Sequence, residues 1–199
     1  KQIDALGKSD DNQEDNNRRR RNAGPNMSQI LRVYHMLPAD AKAKVDAAIP
    51  AYVERLAAVG SRNPYSVPIS GGGWGGNTQV ISNSFNAYLV WKQFLELVDP
   101  DMILKGLNYL FGNHPYNNLS FVTGVGVGTK KVAYGNNRAD YNVIPGGIVP
   151  GLLMRKPDFM ENKDDYPFLW GENECCINTV PNYVMLNLAC IEVAAAINK

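Results

Sequence analysis

Histidine and cysteine are scarce in this 199-residue sequence, which carries two of the first and three of the second. His35 and His114 lie far apart, so no zinc-ligand spacing exists and no metal site is assigned. Three cysteines cannot make a fully paired framework, and a mutual disulfide between the adjacent Cys175 and Cys176 would be strained. They read as buried, reduced thiols in a core segment. Long apolar runs are absent too: none approaches the roughly 18–20 residues that cross a bilayer, so no membrane span is expected. Charge of one sign is not in excess. Lys and Arg number 20 against 19 Asp and Glu, a formal net charge of +1, and no global field draws the protein to nucleic acid or an anionic membrane. The opening KQIDALGKSD has no apolar h-region and no convincing domain start. The 18 Gly and 12 Pro follow no period, which excludes collagen-like and simple low-complexity chains.

Residues 1–22 are almost entirely polar, an acidic block followed by Arg18 to Arg21. They read as an exposed loop or linker, since no aromatic residues interleave the arginines as a single-strand platform would require. Helical spacing begins after Gly24, with Met27, Ile30, Leu31 and Tyr34 on one face. Pro38 opens a second helix that ends at Gly60, and Pro50 should kink or divide it. A Pro- and Gly-punctuated loop, 61–76, leads to a helix from about Thr78 to Val98, and Asp99-Pro100 starts a shorter one. Residues 113–170 have Gly every few positions and little helical period. A final helix, roughly Pro181 to Asn198, is so apolar that it should be buried. The class is mainly α, with long Gly-rich loops of the kind that carry function.

Gly124-Val-Gly-Val-Gly128 suggests a phosphate cradle, but no Lys-Ser/Thr follows at P-loop spacing and no helix pattern starts there. The densest ionisable and aromatic cluster is PDFMENKDDYPFLWGENE, from Pro157 to Glu174. Rings stack on the apolar faces of sugars, and a carboxylic acid kept neutral can protonate a leaving glycosidic oxygen. Burial and neighbouring carboxylates would raise the pKa of such a group. The same residues also fit a surface acidic loop that leads into the last helix.

Several motifs then stand in order: GLNYLFGNHPYNNLSFVTGVG, AYGNNR, IPGGIVPG and DYPFLWGENE before the last apolar helix. Together they resemble the C-terminal part of glycoside hydrolase family 9, inverting β-glycosidases built on an (α/α)6 barrel. The resemblance runs from about Gly24 to the C-terminus. Its Asp-x4-aromatic-x3-Glu signature is met by Asp165, Trp170 and Glu174. The resemblance implies that Glu174 is the general acid. It implies sugar-binding roles for Trp74 in GGWGGN, for Asn136, Asn137 and Arg138 at the place of a His-His-Arg triplet, and for Trp170 and Glu172. A guanidinium such as that of Arg138 suits fixed, multi-donor contact.

The sequence departs from the family where asparagines replace the triplet histidines and Cys175-Cys176 follow the acid. The Asp-Ala-Gly-Asp motif that supplies the family's catalytic base does not occur, and about five helices stand where a barrel needs twelve. The expectation is therefore that residues 23–199 form the C-terminal portion of a catalytic domain, whose N-terminal part is a partner. The substrate would be a β-linked oligo- or polysaccharide. No cofactor is needed; relatives often hold a structural calcium, for which no ligands are assigned. Relatives are usually exported, which implies a secreted or periplasmic setting. Two other readings are weighed: an inactive glycan-binding module, and a helical protein whose arginines bind a polyanion.

Overall fold

Met27, Ile30 and Leu31 turn one apolar face of helix α1 (Met27–Arg32) into the core. The computed structural model describes residues 27–61, 63, 65–69, 73–113, 118–130, 144–153 and 174–198, without the side chains of 73, 74, 152 and 153. The polar segment 1–22, with Arg18 to Arg21, lies outside the described residues. After a single 3-10 turn at Tyr34–Met36, α2 (Ala39–Gly60) begins behind Pro38, whose carbonyl accepts from the Lys42 N–H at 2.9 Å. Pro50 does not divide this helix, so of the expected kink or division the division does not occur. An interior proline costs about 3 kcal/mol. Val45, Ile49 and Leu56 are buried on both sides of it, and each buried aliphatic side chain contributes about 1.5–3 kcal/mol.

Helix α3 (Gly76–Gln93) is the central element and buries residues on most of its circumference, among them Val80, Ile81, Phe85, Val90 and Trp91. It starts two residues before the expected Thr78 and stops at Gln93, short of the expected Val98, where Phe94 leaves helical backbone geometry and packs edge-on against Tyr34. A 3-10 turn, Leu95–Leu97, takes up the remainder. In α4 (Pro100–Leu110), the Asp99 carboxylate accepts from the Asp101 N–H at 2.9 Å, and proline stands first, where its missing N–H costs nothing. Gly106 lets α4 press against α3 at Ser84. Helix α5 (Thr179–Ile197) completes the set of five α-helices among the described residues.

Contacts fix the helix directions. Thr78 meets Thr179 and Tyr88 meets Glu192, so α3 and α5 run the same way. Phe111, just past α4, lies against Tyr183, while the Cys190 thiol faces the Ile103 carbonyl, so α4 runs against α5. The core is therefore a helical layer packing, with four two-residue strands confined to loops: β1 (Gly73–Trp74) antiparallel to β4 (Leu152–Leu153), and β2 (Leu119–Ser120) parallel to β3 (Gly128–Thr129).

Three sequence expectations change here. Helix α5 is not buried all round; Tyr183, Leu186, Ala189, Cys190 and Val193 face the core, while the opposite face is exposed. By length and composition α5 is also apolar enough to cross a membrane, which a search for uninterrupted apolar runs overlooks because single polar residues are spaced along it. Cys175 and Cys176 are half-buried free thiols at the loop before α5, and only Cys190 is buried.

Candidate functional site at the loop end of the helices

The directions of α3, α4 and α5 place the start of α3, the end of α4 and the start of α5 at one end of the packing. The connecting loops meet there through a continuous set of hydrogen bonds. The Phe121 N–H reaches the Leu110 carbonyl at 2.9 Å, the Val149 N–H reaches the Phe121 carbonyl at 3.1 Å, and Val122 bridges Ile148. The Asn77 amide donates to the Val149 carbonyl at 3.0 Å, and the Asn77 N–H donates to the Pro150 carbonyl at 2.8 Å. Gly75 and Gly76 both donate to the Gly151 carbonyl, so loop 148–153 caps the exposed N–H groups of α3. Gly151 has φ +78°, and a Cβ there would press into the Asn77 amide at 2.6–2.7 Å. Only glycine fits that close approach.

A buried aromatic floor supports these loops. Tyr109 lies 5.2 Å from Tyr65 and 5.3 Å from Phe121, centroid to centroid. Lys130, completely buried, follows β3, its N–H bonded to the Ser120 carbonyl and its carbonyl accepting from the Thr123 hydroxyl. The Gly-Val-Gly-Val-Gly run forms turns and β3 within this assembly, with Gly124 and Gly126 both at positive φ.

Glu174 stands at the same end. It is half-buried, five residues before Thr179, whose hydroxyl meets that of Thr78 at 3.0 Å. Trp74 precedes Thr78 by four residues and pairs with Leu152 in strand register. Trp74 and Glu174 thus precede two helix starts that meet at the Thr78–Thr179 hydroxyl contact. Cys176 ties Glu174 to α5: its thiol donates to Glu174 Oε2 at 3.6 Å, and its carbonyl accepts from the Thr179 and Val180 N–H groups at 3.0 and 3.4 Å. Burial pushes the Cys176 thiol up to about 11, with the Glu174 charge and this bond adding to the effect. Burial first and Glu174 second also raise Cys175. Both thiols are therefore protonated near neutral pH, and Cys176 is a donor to the carboxylate.

The positions Asn136, Asn137, Arg138, Trp170 and Glu172 lie outside the described residues, as do His114 and the Asp165 of the acidic signature, and the Trp74 side chain is not described. Among the described residues, no group of three or more His, Cys, Asp or Glu side chains could hold a metal, so no calcium ligand set is assigned.

Solved structures share this fold. A thermostable endoglucanase from Alicyclobacillus acidocaldarius, a single mutant, superposes with a TM-score of 0.61 at 21% identity, over 82% of this chain and 34% of that one. A metagenome-derived glycoside hydrolase family 9 endoglucanase does so at 0.59 and 20% identity, over 77% and 30%. The fold is that of the family 9 endoglucanases. The chain spans about a third of the length of these structures. A Zn-binding triple mutant of another family 9 endoglucanase matches with a TM-score of 0.51. No protein-family model and no curated protein matches the sequence.

The residues of this region that the sequence reading did not place at the site are Asn77, Thr78, Thr179 and Cys176, which hold its loops and helix starts together. Asn77 directly follows GGWGG, and Cys176 follows the expected acid by two, so adjacency to a motif was the available signal. Asn77 is fully buried, and its Oδ1 has no hydrogen-bond partner among the described residues.

Proposed function

We propose that the chain is the C-terminal part of a family 9-type inverting β-glycoside hydrolase and supplies its general acid, Glu174. The observation that supports this reading is the Thr78–Thr179 contact between the helix starts that follow Trp74 and Glu174, in a fold shared with endoglucanases. One carboxylic acid protonates the glycosidic oxygen as the bond breaks. A second carboxylate, roughly 6.5–9.5 Å away, activates water on the opposite face of the sugar. That base belongs to the N-terminal part of the domain, whose helices would close an (α/α)6 barrel with those of residues 23–199. Trp74 and Trp170 offer rings to sugar faces, while Asn136, Asn137, Arg138 and Glu172 offer hydrogen bonds to hydroxyls. The substrate is a β-linked glucan or related oligosaccharide, met outside the cell or in the periplasm. No step needs a redox cofactor or metal.

Asparagines at the triplet favour a second reading, a glycan-binding module without turnover. Glu174→Gln in the intact domain separates the two. A hydrolase loses at least about 100-fold in turnover of an unactivated oligosaccharide, the scale of general acid catalysis. A binding module shows oligosaccharide affinity and no turnover in either form.

A further inference from the structure

Cys175-Cys176 is one of the points at which the sequence departs from family 9, and the two thiols are placed differently. Cys175 packs against the core. Cys176, two residues after Glu174, turns to the carboxylate instead, and its thiol donates to Glu174 Oε2 at 3.6 Å. Among the described residues no hydrogen bond reaches the other oxygen, Oε1. The thiol is itself anchored. The Cys176 carbonyl accepts from the first two N–H groups of α5, those of Thr179 and Val180, and the Thr179 hydroxyl meets that of Thr78 on α3. Ile177, next in the chain, is 88% exposed, so the turn is held by these bonds and not by burial of its own side chain. Cys176 is thus the link from the helical frame to the carboxylate.

We propose that Cys176 is a positioning residue for the general acid: its thiol holds Oε2 of Glu174, so that the acidic proton is carried on Oε1 and delivered from there. This rests on the reading of Glu174 as the acid. A protonated carboxyl has one O–H and one carbonyl oxygen, and a thiol that donates to Oε2 selects that atom as the carbonyl oxygen. In the step, the Oε1 proton passes to the glycosidic oxygen while the bond from that oxygen to the anomeric carbon breaks and its electron pair stays on the oxygen. Water adds to the anomeric carbon and gives its proton to the base of the N-terminal part. Glu174 is left as a carboxylate, and the thiol bond then meets a full negative charge, where hydrogen bonds are stronger. An interaction that strengthens as the proton leaves acts on the transition state more than on the bound substrate. The donor is present at neutral pH, because burial first and Glu174 after it push the Cys176 thiol up to about 11.

Cys176→Ala and Cys176→Ser, made in the intact domain beside Glu174→Gln, test this, with circular dichroism to check the fold. Turnover is measured on cellotetraose, whose leaving oxygen needs a proton, and on dinitrophenyl β-cellobioside, whose leaving group departs without one. Cys176→Ala is expected to lose roughly tenfold in kcat on cellotetraose, the scale of one hydrogen bond to a charged group, with KM and turnover of the dinitrophenyl glycoside unchanged. Cys176→Ser keeps an O–H donor and recovers most of the loss. A wild-type kcat in Cys176→Ala, equal losses on both substrates, or a serine variant no better than the alanine one overturns the inference. The bond itself is read from the S–H stretching band of Cys176, isolated as the infrared difference between wild type and Cys176→Ala. Glu174→Gln should move that band to higher frequency, and an unmoved band also overturns the inference. Failure of the underlying reading looks different: Glu174→Gln then matches wild type on cellotetraose, and the positioning role falls with it.

Discussion

The hydroxyls of Thr78 and Thr179 lie 3.0 Å apart, joining the starts of two helices 101 residues distant in sequence. One start follows Trp74 and the other follows Glu174, so this contact sets the spacing between two segments of the candidate site. Thr78→Val removes one partner and leaves the fully buried Thr179 hydroxyl without it. The expected cost is about 1–2 kcal/mol, or a Tm lower by roughly 2–8 °C for a domain of this size. Thermal unfolding by circular dichroism measures it, and an unchanged Tm would show that the contact contributes nothing.

Cys176 should report on Glu174 directly. The carboxylate beside the thiol helps to hold it protonated, with its pKa near 11. Glu174→Gln removes the charge and leaves only a neutral amide oxygen to accept from the thiol, so the thiol pKa falls toward its ordinary value while burial still keeps it above. The alkylation rate of Cys176 by iodoacetamide at pH 9, located by peptide mass, should therefore rise several-fold in Glu174→Gln. The same rate in both proteins would separate the two side chains.

Gly106 and Ser84 set the approach of α4 to α3. A Cβ at residue 106 would collide with the Ser84 side chain and touch Val80 at 3.5 Å. Gly106→Ala is expected to destabilise by about 1–3 kcal/mol through overpacking. The Ser84 hydroxyl is buried without a hydrogen-bond partner among the described residues, so Ser84→Ala should be neutral or stabilising by up to about 1 kcal/mol. Urea denaturation distinguishes these outcomes, and a stabilised Gly106→Ala would contradict the helix contact.

The Glu192 carboxyl is held below its ordinary range, chiefly by the Tyr88 hydroxyl and further by Lys92. A lowered folded pKa means that the folded state binds this proton less readily than the unfolded one. The stabilisation is complete above the ordinary carboxylate range, about 4.5, and is lost as pH falls through the lower folded value. Both Lys92 and Glu192 are about half exposed, so solvent screening limits the pair to about 1 kcal/mol or less. The Tm difference between wild type and Glu192→Gln should be present at pH 7 and shrink by pH 3. A difference that grows on acidification would reverse the sign of this account.

Much of the helical frame was legible because spacing decides it. Met27, Ile30 and Leu31 declared α1, and Asp99-Pro100 declared the start of α4 with its cap. Division at Pro50 does not occur, because local propensity weighs a lost backbone bond but not the buried Val45, Ile49 and Leu56 on both sides of it. The last helix differs in another way: its composition says buried, yet burial is set by what packs against it, and one face is exposed. At the site, motif order pointed to Trp74 and Glu174. The contacts that join them, Thr78 with Thr179 and the Asn77 bonds to 149–150, are long-range and leave no periodic trace in the sequence.

The most direct test of the central claim is hydrolysis of an unactivated β-linked oligosaccharide by the intact domain with and without Glu174→Gln. Loss of at least about 100-fold in kcat, with oligosaccharide binding retained, is the result this account predicts. Turnover equal to wild type would contradict it and remove Glu174 from the chemistry.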